Sequence, residues 1–135
     1  MCDAFRERRD VMVAGLNAIP GVRCRKPGGA FYLFPNIAGM CNALGAIEAH
    51  ARMPAVERGH SSPATLVQMF LLWHHQVATM DRRSFGSIGS EGQHYLRFSI
   101  ATALDDLKLA LERIRVAASD VDGFQQFIQE GKHLC

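Results

Sequence analysis

His94-Tyr95-Leu96-Arg97-Phe98-Ser99-Ile100 alternates in character along its length, and a period of two is the pattern of a strand with one face buried. Leu96, Phe98 and Ile100 fall on one face, and Tyr95, Arg97 and Ser99 on the other. The apolar face must meet a layer of helices. Arg97 is then predicted to project from the middle of the sheet's opposite face, where a planar guanidinium suits a carboxylate or a phosphate. The plainer reading of the same pattern is an arginine on a solvated sheet face, or one paired with an acidic side chain.

The elements on either side of this strand place it in a small α+β unit. Downstream, Thr102 and Asp105 resemble a capping box. Leu104, Leu107, Leu111, Ile114 and Ala118 then recur at helical spacing. A tail helix follows, with Phe124, Phe127 and Ile128 on one side and Gly131 as its stop. Upstream, Ser84 to Gly92 is a glycine- and serine-rich connection, and Val77 to Met80 is a short strand. Ser62-Pro63 is a helix entry, and Leu66, Met69, Phe70 and Trp73 make the apolar stripe of that helix. Residues 37–61 are interrupted by Gly39, Gly45, Pro54 and Gly59, with room for a short helix from Ala43 to Arg52.

Ala30 to Phe34 reads as a buried strand paired with an earlier one, in which Val22 and Cys24 alternate with Arg23 and Arg25. Pro20-Gly21 ends a first amphipathic helix over about residues 3–18, carried by Phe5, Met12, Val13 and Leu16. That helix has no capping residue before it, as if an upstream stretch were missing. The order α-β-β-α-β-β-α implies a two-layer α+β domain spanning 1–135, with a small mixed or antiparallel sheet and helices packed on one face.

Composition narrows the function classes. A 135-residue chain with 48% hydrophobic residues suits one domain with a real core. The 15 basic and 13 acidic residues are dispersed, which argues against nucleic acid as a partner. No apolar run reaches the length of a membrane span and no signal-peptide core follows Met1, so the expected setting is the cytoplasm. Cys2, Cys24, Cys41 and Cys135 have neither zinc-ligand nor disulfide-framework spacing. The six histidines, His74-His75 among them, read as surface residues and not as a metal site. Asp81-Arg82-Arg83 reads as a solvated connection, though an anion-binding turn is the alternative. Gly28-Gly29 and the glycines at 86, 89 and 92 lack the spacing of a phosphate-cradling loop, and Ser84, Ser87 and Ser90 lack the context of a hydrolase nucleophile.

Five segments taken in order carry a family resemblance. They are Phe5-Arg6-Glu7-Arg8-Arg9-Asp10, Gly15-Leu16-Asn17-Ala18-Ile19-Pro20-Gly21-Val22, Pro27-Gly28-Gly29-Ala30-Phe31-Tyr32-Leu33-Phe34-Pro35-Asn36, Ser84-Phe85-Gly86 and Tyr95-Leu96-Arg97-Phe98-Ser99. Together they resemble the C-terminal small domain of the fold-type-I, pyridoxal-phosphate-dependent aminotransferases, in the aspartate-aminotransferase branch. The resemblance implies that Arg97 grips the α-carboxylate of an amino acid or 2-oxo acid substrate. It also implies a homodimeric full-length enzyme, whose separate large domain supplies the cofactor lysine, the pyridine-nitrogen partner and the phosphate ligands.

Lys26, Lys108 and Lys132 do not stand in the family's Ser-Lys setting. No catalytic or cofactor-binding residue is therefore assigned to this chain, and alone it is expected to be inactive. The alternative is a stand-alone, non-catalytic carboxylate-binding or subunit-interaction module. Two stretches depart from the pattern. Ala78 to Ser84 replaces a Val-Pro-Gly-Ser-like run, and Met40 to Ser61 is longer than the usual connection.

Overall fold

A computed structural model describes residues 2–28, 32–81 and 94–131. Helix α1 (Cys2–Asn17) buries Met12 and Leu16 and ends at a turn whose Gly21 takes a φ of +85°. Strand β1 (Tyr32–Leu33) leads to helices α2 (Ala38–Leu44), α3 (Ala46–Ala51) and α4 (Ala55–Arg58). Helix α5 (Pro63–His75) precedes strands β2 (Met80–Asp81) and β3 (Leu96–Ser99), and helices α6 (Leu104–Ala118) and α7 (Val121–Glu130) close the order.

The sheet is antiparallel in the order β1-β3-β2, so the strand bearing Arg97 is central. Tyr32 lies opposite Ser99 and Leu33 opposite Phe98, while Met80 lies opposite Arg97 and Asp81 opposite Leu96. Leu33, Leu96, Phe98 and Ile100 are buried in one apolar cluster with Leu16, Leu66, Phe70, Leu107 and Phe124. This is the α+β arrangement expected from the alternation, with Arg97 turned away from that core.

Several local expectations are corrected. Val22 to Arg25 does not form a strand: it makes a single bridge, Arg23 to Asn36, because the backbone of Cys24 is taken by a side chain. Asn17 Nδ2 donates to the Cys24 carbonyl at 2.8 Å, and the Cys24 N–H donates to Asn17 Oδ1 at 2.9 Å. The burial alternation is nevertheless present, with Val22 and Cys24 inward and Arg23 and Arg25 exposed. Of the strand expected over Ala30–Phe34, Ala30 and Phe31 lie outside the described residues, and the described part is not buried on both faces. Among the described residues its ladder runs over Tyr32–Leu33, its neighbour is β3, and Tyr32 and Phe34 face outward.

The long interrupted segment folds as three short helices, divided at Gly45, which caps the end of α2 with a φ of +81°. At α5 the Ser62 cap is present and reciprocal with Thr65. Its buried stripe runs through Ala64, Leu66, Val67, Phe70 and Leu71, whereas Trp73 is exposed. The strand expected at Val77–Met80 starts later, at Met80. Gln76 takes a left-handed φ of 58° and the Val77 N–H returns to the Leu71 carbonyl at 2.9 Å, so residues 76–77 finish the helix instead.

Thr102 and Asp105 do not form a capping box. The residue before α6 is Ala103, without a side-chain cap, and Thr102 is too early in the chain to serve. Its hydroxyl donates to Asp106 at 3.4 Å. The tail helix is present as expected, capped at its start by Asp120 and stopped by left-handed Gly131. The connection expected over Ser84–Gly92 lies outside the described residues.

Candidate functional site

Arg97 stands at the centre of the outer sheet face, half-buried between the two edge strands. Its guanidinium carbon lies 4.3 Å from the centroid of the Tyr32 ring, in a cation–π arrangement. Nη2 reaches Met80 Sδ, directly across the β2–β3 ladder, at 3.1 Å. The ring and thioether hold the fork in a partly desolvated position, which strengthens its attraction for an anion relative to open water. The stacking ring was not foreseen, because Tyr32 is a diagonal neighbour of Arg97 only once β1 and β3 are paired in this register.

Two expected surface features are corrected. Asp81 is buried and not solvated: the Thr65 hydroxyl donates to its carboxylate, and its own backbone N–H donates to Gln68 Oε1 at 3.1 Å. These bonds tie β2 to α5, so the side chain serves the fold. Arg82 and Arg83 lie outside the described residues. His74 and His75 are half-buried, not surface residues, because the edge of α7 closes over them. His74 Nε2 is 3.7 Å from Glu130 and His75 Nε2 is 3.1 Å from Asp120, at opposite ends of that helix. The His75 ring meets Phe70 edge-on at 4.9 Å.

His94 is held below the usual histidine range first by burial and then by nearby His50. Among the described residues no group of three metal-ligating side chains converges. Cys24 and Cys41 are free and buried, and burial pushes the Cys41 thiol up to about 12. Low thiolate content makes Cys41 a packing residue and not a nucleophile.

Pyridoxal phosphate needs an amine able to condense with its aldehyde and a cradle for its phosphate. The described lysines do not fit that role. Lys26 is exposed and 3.1 Å from Asp10, and Lys108 is exposed on α6. Lys132 and the serines at 84, 87 and 90 lie outside the described residues.

A two-layer α+β unit with a stacked arginine at the centre of its outer sheet face is the structural class reached by this geometry. No protein-family model matches the chain. It is 37% identical over 115 residues to the aspartate aminotransferase of Rhizobium meliloti, a match covering 85% of this chain and 24% of that protein. It is 36% identical over 115 residues to the aspartate aminotransferase of Bacillus subtilis, with the same coverages. Among solved structures, the Rhizobium meliloti enzyme superposes with a TM-score of 0.61 at 36% identity, covering 86% of this chain and 25% of that one. An aromatic aminotransferase from Pyrococcus horikoshii superposes with a TM-score of 0.63 at 25% identity, covering 90% and 26%.

Over most of its length the chain is homologous to aspartate aminotransferases, and it spans about a quarter of the length of the relatives it matches. Among the described residues, no helix is long and apolar enough to cross a membrane.

Proposed function

We propose that this chain is the C-terminal small domain of a pyridoxal-phosphate-dependent aminotransferase that moves an amino group between an amino acid and a 2-oxo acid. In this reading Arg97 holds the α-carboxylate, and the chain contributes no catalytic lysine. The observation that carries the proposal is the setting of Arg97. A guanidinium is laid over Tyr32 in mid-sheet, within a chain homologous to aminotransferases. A two-bond fork fixes the carboxylate in a plane and thereby orients the Cα–H bond of the bound amino acid. The remainder of the full-length protein supplies the cofactor and its lysine, and a second subunit completes a cytoplasmic homodimer. Relatives named aspartate aminotransferase make aspartate the first substrate to test.

The test is Arg97→Lys in the full-length enzyme. It keeps the charge but loses the fork, and one charge-assisted hydrogen bond is worth about 1.5–3 kcal/mol. kcat/KM for amino acids is expected to fall at least about tenfold. Amines lacking the α-carboxylate are expected to react as before. Equal slowing of both, or no change in either, refutes the role. The 135-residue chain itself is expected to produce no 2-oxo acid from aspartate when mixed with pyridoxal phosphate; turnover accompanied by a borohydride-trapped lysine adduct refutes its assignment as a part without catalytic machinery.

A further inference from the structure

A groove of about 490 Å³ lies beside Arg97 on the same sheet face, walled by Tyr32, Phe34 and Tyr95 and edged by Arg23 and Arg25. Phe34 is 49% exposed and Tyr32 40%, so two aromatic rings, one on edge strand β1 and one just after it, stand open to solvent. Isolated apolar side chains on a surface are ordinary; rings grouped in a concavity with polar groups at the rim mark binding sites. The two arginines come from an extended segment whose alternation turns Val22 and Cys24 into the core and both guanidiniums outward.

Their backbone is fixed. Arg23 exchanges both hydrogen bonds with Asn36, at 2.9 and 2.6 Å, and Cys24 between them is clamped by Asn17. Among the described residues their charge is not matched. The neighbouring cations Lys26 and Arg9 both contact Asp10, at 3.1 Å each, whereas no acidic side chain among the described residues pairs with Arg23 or Arg25. Aromatic walls and two solvent-facing guanidiniums on a preformed backbone are complementary to a flat ring carrying a negative charge.

We infer that this groove is a binding site for a small aromatic carboxylate, with the ring against Tyr32 and Phe34 and the carboxylate at Arg23 and Arg25. The inference does not rest on the role of Arg97, which is not among the groove's lining residues. Rings gain from stacking on aromatic side chains, and the carboxylate gains charge-assisted hydrogen bonds that an amide or a bare ring cannot make. Neither half alone is expected to suffice in so open a groove.

The test titrates the 135-residue chain with 3-phenylpropionate and follows the aromatic and arginine side-chain resonances by NMR. Saturable binding in the millimolar range is expected. 3-Phenylpropanamide, which keeps the ring, and propionate, which keeps the charge, are each expected to bind at least tenfold more weakly. R23Q/R25Q and Phe34→Ala change exposed side chains, so both variants should fold, as checked by unchanged backbone dispersion, and each should weaken 3-phenylpropionate at least tenfold. No saturable binding, equal binding of the amide, or unchanged affinity in folded R23Q/R25Q overturns the inference. So does saturation of the groove by a second copy of the chain, seen as concentration-dependent shifts of the same resonances that 3-phenylpropionate fails to reverse.

Discussion

Gly21 and Gly39 are packed backbone to backbone, and replacing Gly21 by alanine should be among the most damaging single-methyl additions in the molecule. A Cβ on Gly21 would stand 2.5 Å from the Met40 nitrogen and 2.6 Å from the Gly39 carbonyl carbon, both main-chain atoms that cannot rotate away. Two costs therefore add. The left-handed φ of +85° costs an L-residue about 1–2 kcal/mol. The steric overlap adds about 1–3 kcal/mol, the range for overpacking a close-packed site. The expected loss for Gly21→Ala is then about 2–5 kcal/mol.

Gly131→Ala separates the two terms. Gly131 has a φ of +73° but no atom of the described residues within 4 Å of a new Cβ, so it should show the conformational cost alone, about 1–2 kcal/mol. Gly28→Ala, with open space among the described residues and no positive φ, should be neutral to slightly stabilising. The assay is urea denaturation of the four proteins under one set of conditions, comparing midpoints at a common m-value. If Gly21→Ala lost no more stability than Gly131→Ala, the close approach of the two glycine backbones would be wrong, and with it the placement of α2 over the end of α1.

Other outcomes follow from the core and the caps. Phe124→Ala, which removes a fully buried ring set edge-on to Phe70 at 5.3 Å, should cost about 3–5 kcal/mol in the same denaturation assay. Ser62→Ala removes the acceptor for the Thr65 N–H and should cost about 0.5–2 kcal/mol, with Ser62→Asp restoring most of it. Cys41 should resist alkylation at pH 8 unless the chain is unfolded. Its thiol is raised from 9.0 to about 12 in the folded chain, so the native state holds the proton more tightly. Its contribution to stability is complete below pH 9 and lost as pH rises from 9 towards 12. Cys41→Ala should remove a slope of up to about 1.4 kcal/mol per pH unit in that window, and identical alkaline profiles for the two proteins would count against the burial.

How much of this was legible in the sequence depended on whether the deciding partner was near in the chain. The β3 alternation is local, and it located both the buried face and Arg97. The caps at Ser62 and Gly131 are local too. Cys24 defeats the same reasoning, because the acceptor and donor that take its backbone sit on Asn17, and a strand pattern carries no sign that a side chain will replace the ladder. Asp81 fails for a related reason. Beside two arginines it reads as a surface charge, yet Thr65 and Gln68 on α5 satisfy it in the interior.

His74 and His75 show where that limit has energetic consequences. They end a helix and read as solvated, but α7 returns over them: Glu130 and Asp120 meet the two rings at its opposite ends, and Phe124 and Phe127 pack beneath. The tail helix is visible from its own apolar spacing; its docking site is not, since α5 and α7 are separated by the whole of β2, β3 and α6. His75→Ala removes the 3.1 Å contact to Asp120 and the edge-on contact to Phe70, and should cost about 1–3 kcal/mol. Because Asp120 also caps α7 through the Gly123 N–H, the helix itself should persist while its attachment weakens. Amide exchange should then speed up across residues 121–130 and within the last turn of α5, with α1 unchanged. Uniform acceleration throughout the chain would mean that α7 is not a separately opening element and that His75 acts only through global stability.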